Sequence, residues 1–333
     1  MIAQKARGRI KFFFICYFVT IAGRLLAQNA AEADKLFNNK QYNEAKNSYS
    51  ALLKQRPNDP LNNYRYACCC YELGLDEEAI VYFEKSGNKY PSKNKFLGAL
   101  YFKTYRFKQA IEAYEEYLSS LKNGTETDEN MLKLKLRKAE LAQSMLEKVE
   151  NIALIDSFSV DKKDFLKYYQ FNKELGSLEQ TTLPDDSLGR VRDKIKYTTE
   201  RKDRILFSDL NNDTFDLFTS YRLLDGWSDP VSVSSNINTG ANENYPFLML
   251  DGVTLYFASD NEENSLGGYD IFITRFMNSA NDYLAPENIG MPFNSIYNDY
   301  MLVIDELEGK GWFASDRFQP ENKVMIYIFK PNK

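Results

Sequence analysis

Two sets of acidic residues are the first candidates for chemistry in this chain. Asp299, Asp305 and Glu306 lie near one another in "NDYMLVIDELEGKG". Two carboxylates held about 5–9 Å apart can cleave a glycosidic bond, one as acid and the other as base or nucleophile. Asp216, Asp260 and Asp270 offer hard oxygen atoms of the kind a divalent cation takes. Histidine is absent from all 333 residues. That removes Ser-His-Asp and Cys-His nucleophiles and every His-ligated metal.

Neither set comes with the neighbours its chemistry requires. No motif brings an acid and a base together, and "DYMLVIDELEGKG" reads as a strand running into a turn. The Asp spacing is not that of an EF-hand loop, and Asp at such positions ordinarily accepts nearby backbone N–H groups. "SLGGYD" (265–270) joins two strands and lacks the Lys-Ser/Thr of a phosphate loop. Three consecutive cysteines in "ACCCYELG" (67–74) project about 100° apart around a helix, so pairing of neighbours would be strained. They read as small apolar residues in a helix packed on both sides. The expectation is a protein without catalytic residues, cofactor or metal.

Composition points the same way. The chain is 44% hydrophobic and 27% charged, ordinary values for a globular protein, and long enough for two domains. Its net charge of −5 provides no general basic surface for nucleic acid. At the N-terminus, Lys5, Arg7, Arg9 and Lys11 precede an apolar run from Phe12 to Gly23, and "LLAQ" follows. This is the pattern of an export signal cleaved after Ala27. The run is short of the roughly 20 residues of a spanning helix, so no stable membrane span is expected after cleavage.

The elements that would position a site come in repeats. "QYNEAKNSYSALLKQRP" (41–57), "LDEEAIVYFEKSGNKYP" (75–91) and "RFKQAIEAYEEYLSSLK" (106–122) align. Ala45, Ala79 and Ala110 are each followed four residues later by a ring: Tyr49, Phe83 and Tyr114. The small residue lets two antiparallel helices approach, and the ring one turn on fills the space beside them. Pro57 and Pro91, 34 residues apart, end the second helices. Small positions recur upstream at Ala33, Ala67 and Gly98, and apolar ones at Leu36, Cys70 and Tyr101. "NGTETDEN" (123–130) breaks the array, and a helix over about 131–150 caps it.

These segments resemble the tetratricopeptide repeat. The resemblance implies a concave groove lined by the first helix of each hairpin, which grips an extended peptide or a partner's helix. The matching positions here are Asp34, Phe37 and Asn38, then Tyr64, Cys68 and Tyr71, then Lys95, Phe102 and Lys103.

The second half repeats differently, with period-two strands and Gly, Asn or Asp turns. "DGWSDPVSVSSNINTGANENYPFLML" (225–250) aligns with "NDYLAPENIGMPFNSIYNDYMLVIDE" (281–306), so that Trp227 matches Tyr283, Asn238 matches Asn294 and Glu243 matches Asp299. "RILFSD", "TLYFAS" and "GWFAS" recur as one strand of the unit, and "FDLFTSY", "YDIFITR" and "VMIYIFK" as its partner. Asp251, Gly252, Leu255, Phe257, Ser259, Gly267, Gly268, Asp270 and Ile271 carry wording similar to the WD-repeat-like periplasmic propeller family of bacterial envelope proteins. "IALIDSF" reads as a strand able to close the set, and "DKKDFLKYYQ" as a helix of about ten residues.

The fold expected is therefore α+β and multidomain. A signal spans 1–27, tetratricopeptide-like hairpins 28–150, a hinge strand and helix 151–189, and an all-β propeller-like domain of about three blades 190–333. The resemblances imply an exported, periplasmic or outer-membrane-associated scaffold that binds protein partners, as in secretion and gliding assemblies. A second reading is a glycan or peptidoglycan-fragment sensor, with Trp227, Tyr283 and Trp312 as stacking platforms. A carboxylate hydrolase is the third.

Overall fold

A computed structural model describes residues 29–121, 126–184 and 191–332. The export-signal reading of residues 1–27 lies outside the described residues. The chain divides into two compact units, with the division after Ala139.

The first unit is helical: α1 (residues 29–38), α2 (Tyr42–Gln55), α3 (Pro60–Glu72), α4 (Asp76–Lys85), α5 (Lys93–Lys103), α6 (Phe107–Ser120) and the beginning of α7 (Glu126–Glu147). Helix α3 shows how the sequence starts an element. Asp59 accepts the Asn62 N–H at 2.9 Å, and Pro60 occupies the first turn, where a missing donor costs nothing. Ala33, Ala45, Ala67, Ala79 and Ala110 are wholly buried at the helix contacts, and the rings of Tyr49, Phe83 and Tyr114 fill the core beside them.

Two boundaries differ from expectation. Helix α4 stops at Lys85, six residues before Pro91, because Gly87 at φ +66° turns the chain into a short 3₁₀ segment, Gly87–Lys89. Helix α7 is already running at Glu126, inside the stretch expected to be a break, and it ends at Glu147.

Among the described residues the second unit holds three antiparallel sheets. The first runs β2 (Ser177–Pro184), β3 (Val191–Thr198), β4 (Arg204–Asn211), β5 (Thr214–Leu223) and β6 (Gly226–Trp227), with β7 (Val231–Ser232) also on β5. The middle sheet orders β8 (Glu243–Leu248), β9 (Thr254–Ser259), β10 (Asp270–Met277) and β11 (Asp282–Tyr283), with β12 (Glu287–Asn288) on β10. In the last, β13 (Asp299–Asp305), β14 (Lys310–Ser315) and β15 (Lys323–Lys330) are completed by β1 (Ala153–Asp161). The stretch read as a closing strand thus pairs with the end of the chain, from Ala153 opposite Lys330 to Asp161 opposite Lys323.

Residues after β1 form a seven-residue 3₁₀ segment, Lys162–Tyr168, rather than a ten-residue helix. Tertiary packing decides this. Phe165, Leu166 and Tyr169 must all reach the shared core of the β unit, and the Tyr169 hydroxyl donates to the Met301 carbonyl at 2.7 Å. The tighter turn of a 3₁₀ segment suits that demand over one short stretch. A second tyrosine does similar work, since the Tyr197 hydroxyl bonds both the Leu175 and Leu248 carbonyls at 2.5 and 3.1 Å.

Candidate functional site

The sequence places nine residues on the groove face of the first helices, and the structure sorts them into two kinds. The rings pack both within their own hairpin and toward the next. Phe37 meets Tyr42 and Tyr49 edge-on, at 5.8 and 6.4 Å. Tyr64 stacks on Tyr90 at 4.9 Å, and its hydroxyl meets Ser92 Oγ at 3.0 Å. Tyr71 packs on Phe96 and Phe102 on Phe107. All four rings remain half-buried, so each still shows one side to solvent. Cys68 is buried with Cys69 and Cys70, and all three thiols are free. Burial pushes Cys68 up to about 11 and Cys69 and Cys70 up to about 12, which keeps them protonated and unreactive.

The polar members divide as well. Asp34 accepts the Tyr49 hydroxyl at 2.6 Å, and Lys103 pairs with Asp76 on the neighbouring hairpin. Asn38 and Lys95 are exposed. Two residues that the sequence reading missed belong to the same surface. The Arg65 guanidinium lies 4.6 Å from the Phe37 ring centre, a cation–π contact that covers the ring and leaves the Nε–H without a partner. Met131, exposed on α7, lines a cavity of about 130 Å³ together with Lys95, Tyr117, Leu121 and Lys135. An arginine beside a core ring was the available signal.

In the β unit the acidic residues are structural ties. Asp260 accepts both the N–H and the side-chain amide of Asn242, at 2.7 and 2.8 Å. Asp316 does the same for Asn298, at 2.8 and 2.9 Å. Asp216 takes the Asn211 amide at 2.7 Å. Asp270, fully buried, receives Leu266 and Gly267 N–H groups and the Asn288 amide. Burial first, and then the Asp299 charge, push its carboxyl up to about 7. Asp299 is held by Ser295 and by the Arg317 guanidinium at 2.6 Å. Among the described residues, no group of three or more acidic or thiol side chains is arranged to hold a metal.

The candidate hydrolase carboxylates do not converge. Asp305 is buried and caps its own turn, accepting Leu307 and Glu308 N–H groups at 3.0 and 2.9 Å, whereas Glu306 points to solvent. Two of the three candidate stacking platforms are also core residues, since Tyr283 and Trp312 are each only 3% exposed. Trp227 alone of the three shows its ring.

No helix among the described residues is long and apolar enough to cross a membrane. No family model and no curated protein matches the chain. Among solved structures, it is similar to the TPR domain of Sgt2 from Aspergillus fumigatus. The identity is 21%, the match covers 41% of this chain and 89% of that one, and the TM-score is 0.31.

Proposed function

We propose that the chain is a non-catalytic, exported scaffold of the bacterial envelope that binds a protein partner through the first-helix face of its helical unit. On this reading the hairpins are tetratricopeptide repeats and the three sheets are blades of a WD-repeat-like propeller. The observation that carries the proposal is the face itself. Half-buried rings of Phe37, Tyr64, Tyr71 and Phe102 are fixed by their neighbours, and the exposed side chains of Asn38 and Lys95 stand beside them. Aromatic surface held in place and bordered by exposed polar groups suits recognition of an extended segment or a helix. The N-terminal charge and hydropathy pattern supports export.

Affinity purification from envelope extracts tests this, comparing the native chain with an Asn38→Asp, Lys95→Glu double variant. Both positions are exposed, so folding is kept. A partner retained by the native chain and lost from the variant is expected. A partner retained equally by both would refute the groove as the binding surface.

A further inference from the structure

We propose that the chain associates head to tail with a second copy of itself, the turn Glu306–Gly309 of one copy seating against Trp227 of the next. Two equivalent rings differ in their surroundings. Tyr283 in β11 is 3% exposed because the first sheet and the connector after β7 cover it: Arg204, at the start of β4, reaches its hydroxyl at 3.4 Å, and Asn236 in the connector donates to its carbonyl at 2.6 Å. Trp227, 56 residues earlier in the equivalent hairpin, is 37% exposed. Around it Leu223, Leu224 and Val231 are exposed too, Leu224 fully so at the tip of the β5–β6 hairpin. An apolar patch of this kind on an outer hairpin signals an interaction surface.

Repeat geometry identifies what should cover it. Within the chain, part of the cover is the start of β4, the strand equivalent to β14, next to the turn that precedes it. The last sheet presents that element unused. Its β13–β14 turn carries Glu306, Leu307 and Glu308, all exposed, directly before Lys310 at the start of β14.

Charge selects the same pairing. Beside Trp227 lies a hollow of about 610 Å³ whose lining includes Lys196, Arg201, Lys202 and Arg222. Among the described residues the carboxylate lining it, Glu179, is paired with Lys196 at 2.7 Å. Arg222 stands opposite Trp227 across the strands, 5.5 Å from its ring, where the middle sheet has Phe276 opposite Tyr283. A cation thus replaces an apolar residue at this open hairpin. The region after Ala139 carries 19 Lys and Arg against 32 Asp and Glu, a net negative charge that favours approach of this basic corner by a second copy. Glu308 is paired with Lys310 at 3.0 Å, so Leu307 and Glu306 are the apolar and acidic groups that the turn offers to the hollow. Because the two surfaces differ, the contact is heterologous and can add further copies.

Sedimentation of the purified full-length chain over a range of concentrations tests the proposal. The native chain should form dimers and larger species, weakened by salt. A Leu224→Asp, Trp227→Ala variant and a Glu306→Lys, Glu308→Lys variant should each be monomeric with unchanged circular dichroism. Mixed together, they should give a one-to-one heterodimer and nothing larger, since one intact hollow meets one intact turn. A native chain that stays monomeric well above micromolar concentration would overturn the proposal. So would a mixture that stays monomeric, or assembly undiminished in either variant.

Discussion

Asn294 grips Ile271 by both ends of its peptide unit: its Oδ1 accepts the Ile271 N–H at 2.7 Å and its Nδ2 donates to the Ile271 carbonyl at 2.8 Å. Asn238 holds Leu217 in the same way at 2.8 and 2.9 Å, 56 residues earlier. Each asparagine lies in the connector leading to the next sheet and ties it to a central strand of the sheet before. Asn294→Ala leaves the buried Ile271 N–H without its side-chain acceptor, at a cost of about 1–3 kcal/mol, while the Ile271 carbonyl keeps the Ile289 N–H at 3.2 Å. A loss of about 1–3 kcal/mol is expected in urea unfolding of the native chain against the variant.

Proton linkage should be visible in the β unit. Burial pushes both Glu243 and Asp270 up to about 7 from ordinary values of 4.5 and 3.8. The folded state therefore holds protons that the unfolded chain releases between about pH 4 and 7. The stabilisation is fully present below that window and is lost as pH rises through it. Unfolding midpoints of the native chain should fall from pH 5 to pH 8 more steeply than those of a Glu243→Gln, Asp270→Asn variant. Equal slopes would show that these carboxyls are ionised in the fold.

Gly98 measures how closely the helices of one hairpin approach. A Cβ there would come within 2.4 Å of the buried Tyr114 ring. Gly98→Ala should cost about 1–3 kcal/mol by overpacking, despite alanine's better helix propensity. A thermal melt that showed stabilisation would mean the hairpin is looser than described.

The Lys103–Asp76 pair should contribute little. It is an ion pair with a largely exposed lysine, so Lys103→Ala is expected to change stability by less than about 0.5 kcal/mol. Its effect on partner capture can then be read without correction for folding.

Much of this fold was legible from spacing alone. Ala45, Ala79 and Ala110, with a ring four residues after each, predicted three hairpin contacts because a small residue and a ring must coincide wherever helices touch. The matching strands of the second half followed from alternation and from Asn and Asp at fixed offsets. What failed to show was tertiary. Phe165, Leu166 and Tyr169 look helical in sequence, and only the need to face one core bends them into a 3₁₀ turn. Strand β2 was hidden in what read as a hinge, since "SLEQTTLP" has little apolar character and is defined by its pairing with β3. In the candidate surface, residue type identified the rings but not their fate. Trp227 and Tyr283 occupy equivalent positions, and only the neighbouring sheet makes one a core residue and the other an exposed one.

Site-specific photo-crosslinking in growing cells tests the central claim most directly. A photoreactive residue at Asn38 or Lys95, on the first helices, should capture one and the same partner protein. The same residue at Asn47 or Glu112, exposed on the second helices α2 and α6, should not. Equal capture from both faces, or capture from the second helices alone, would contradict the account.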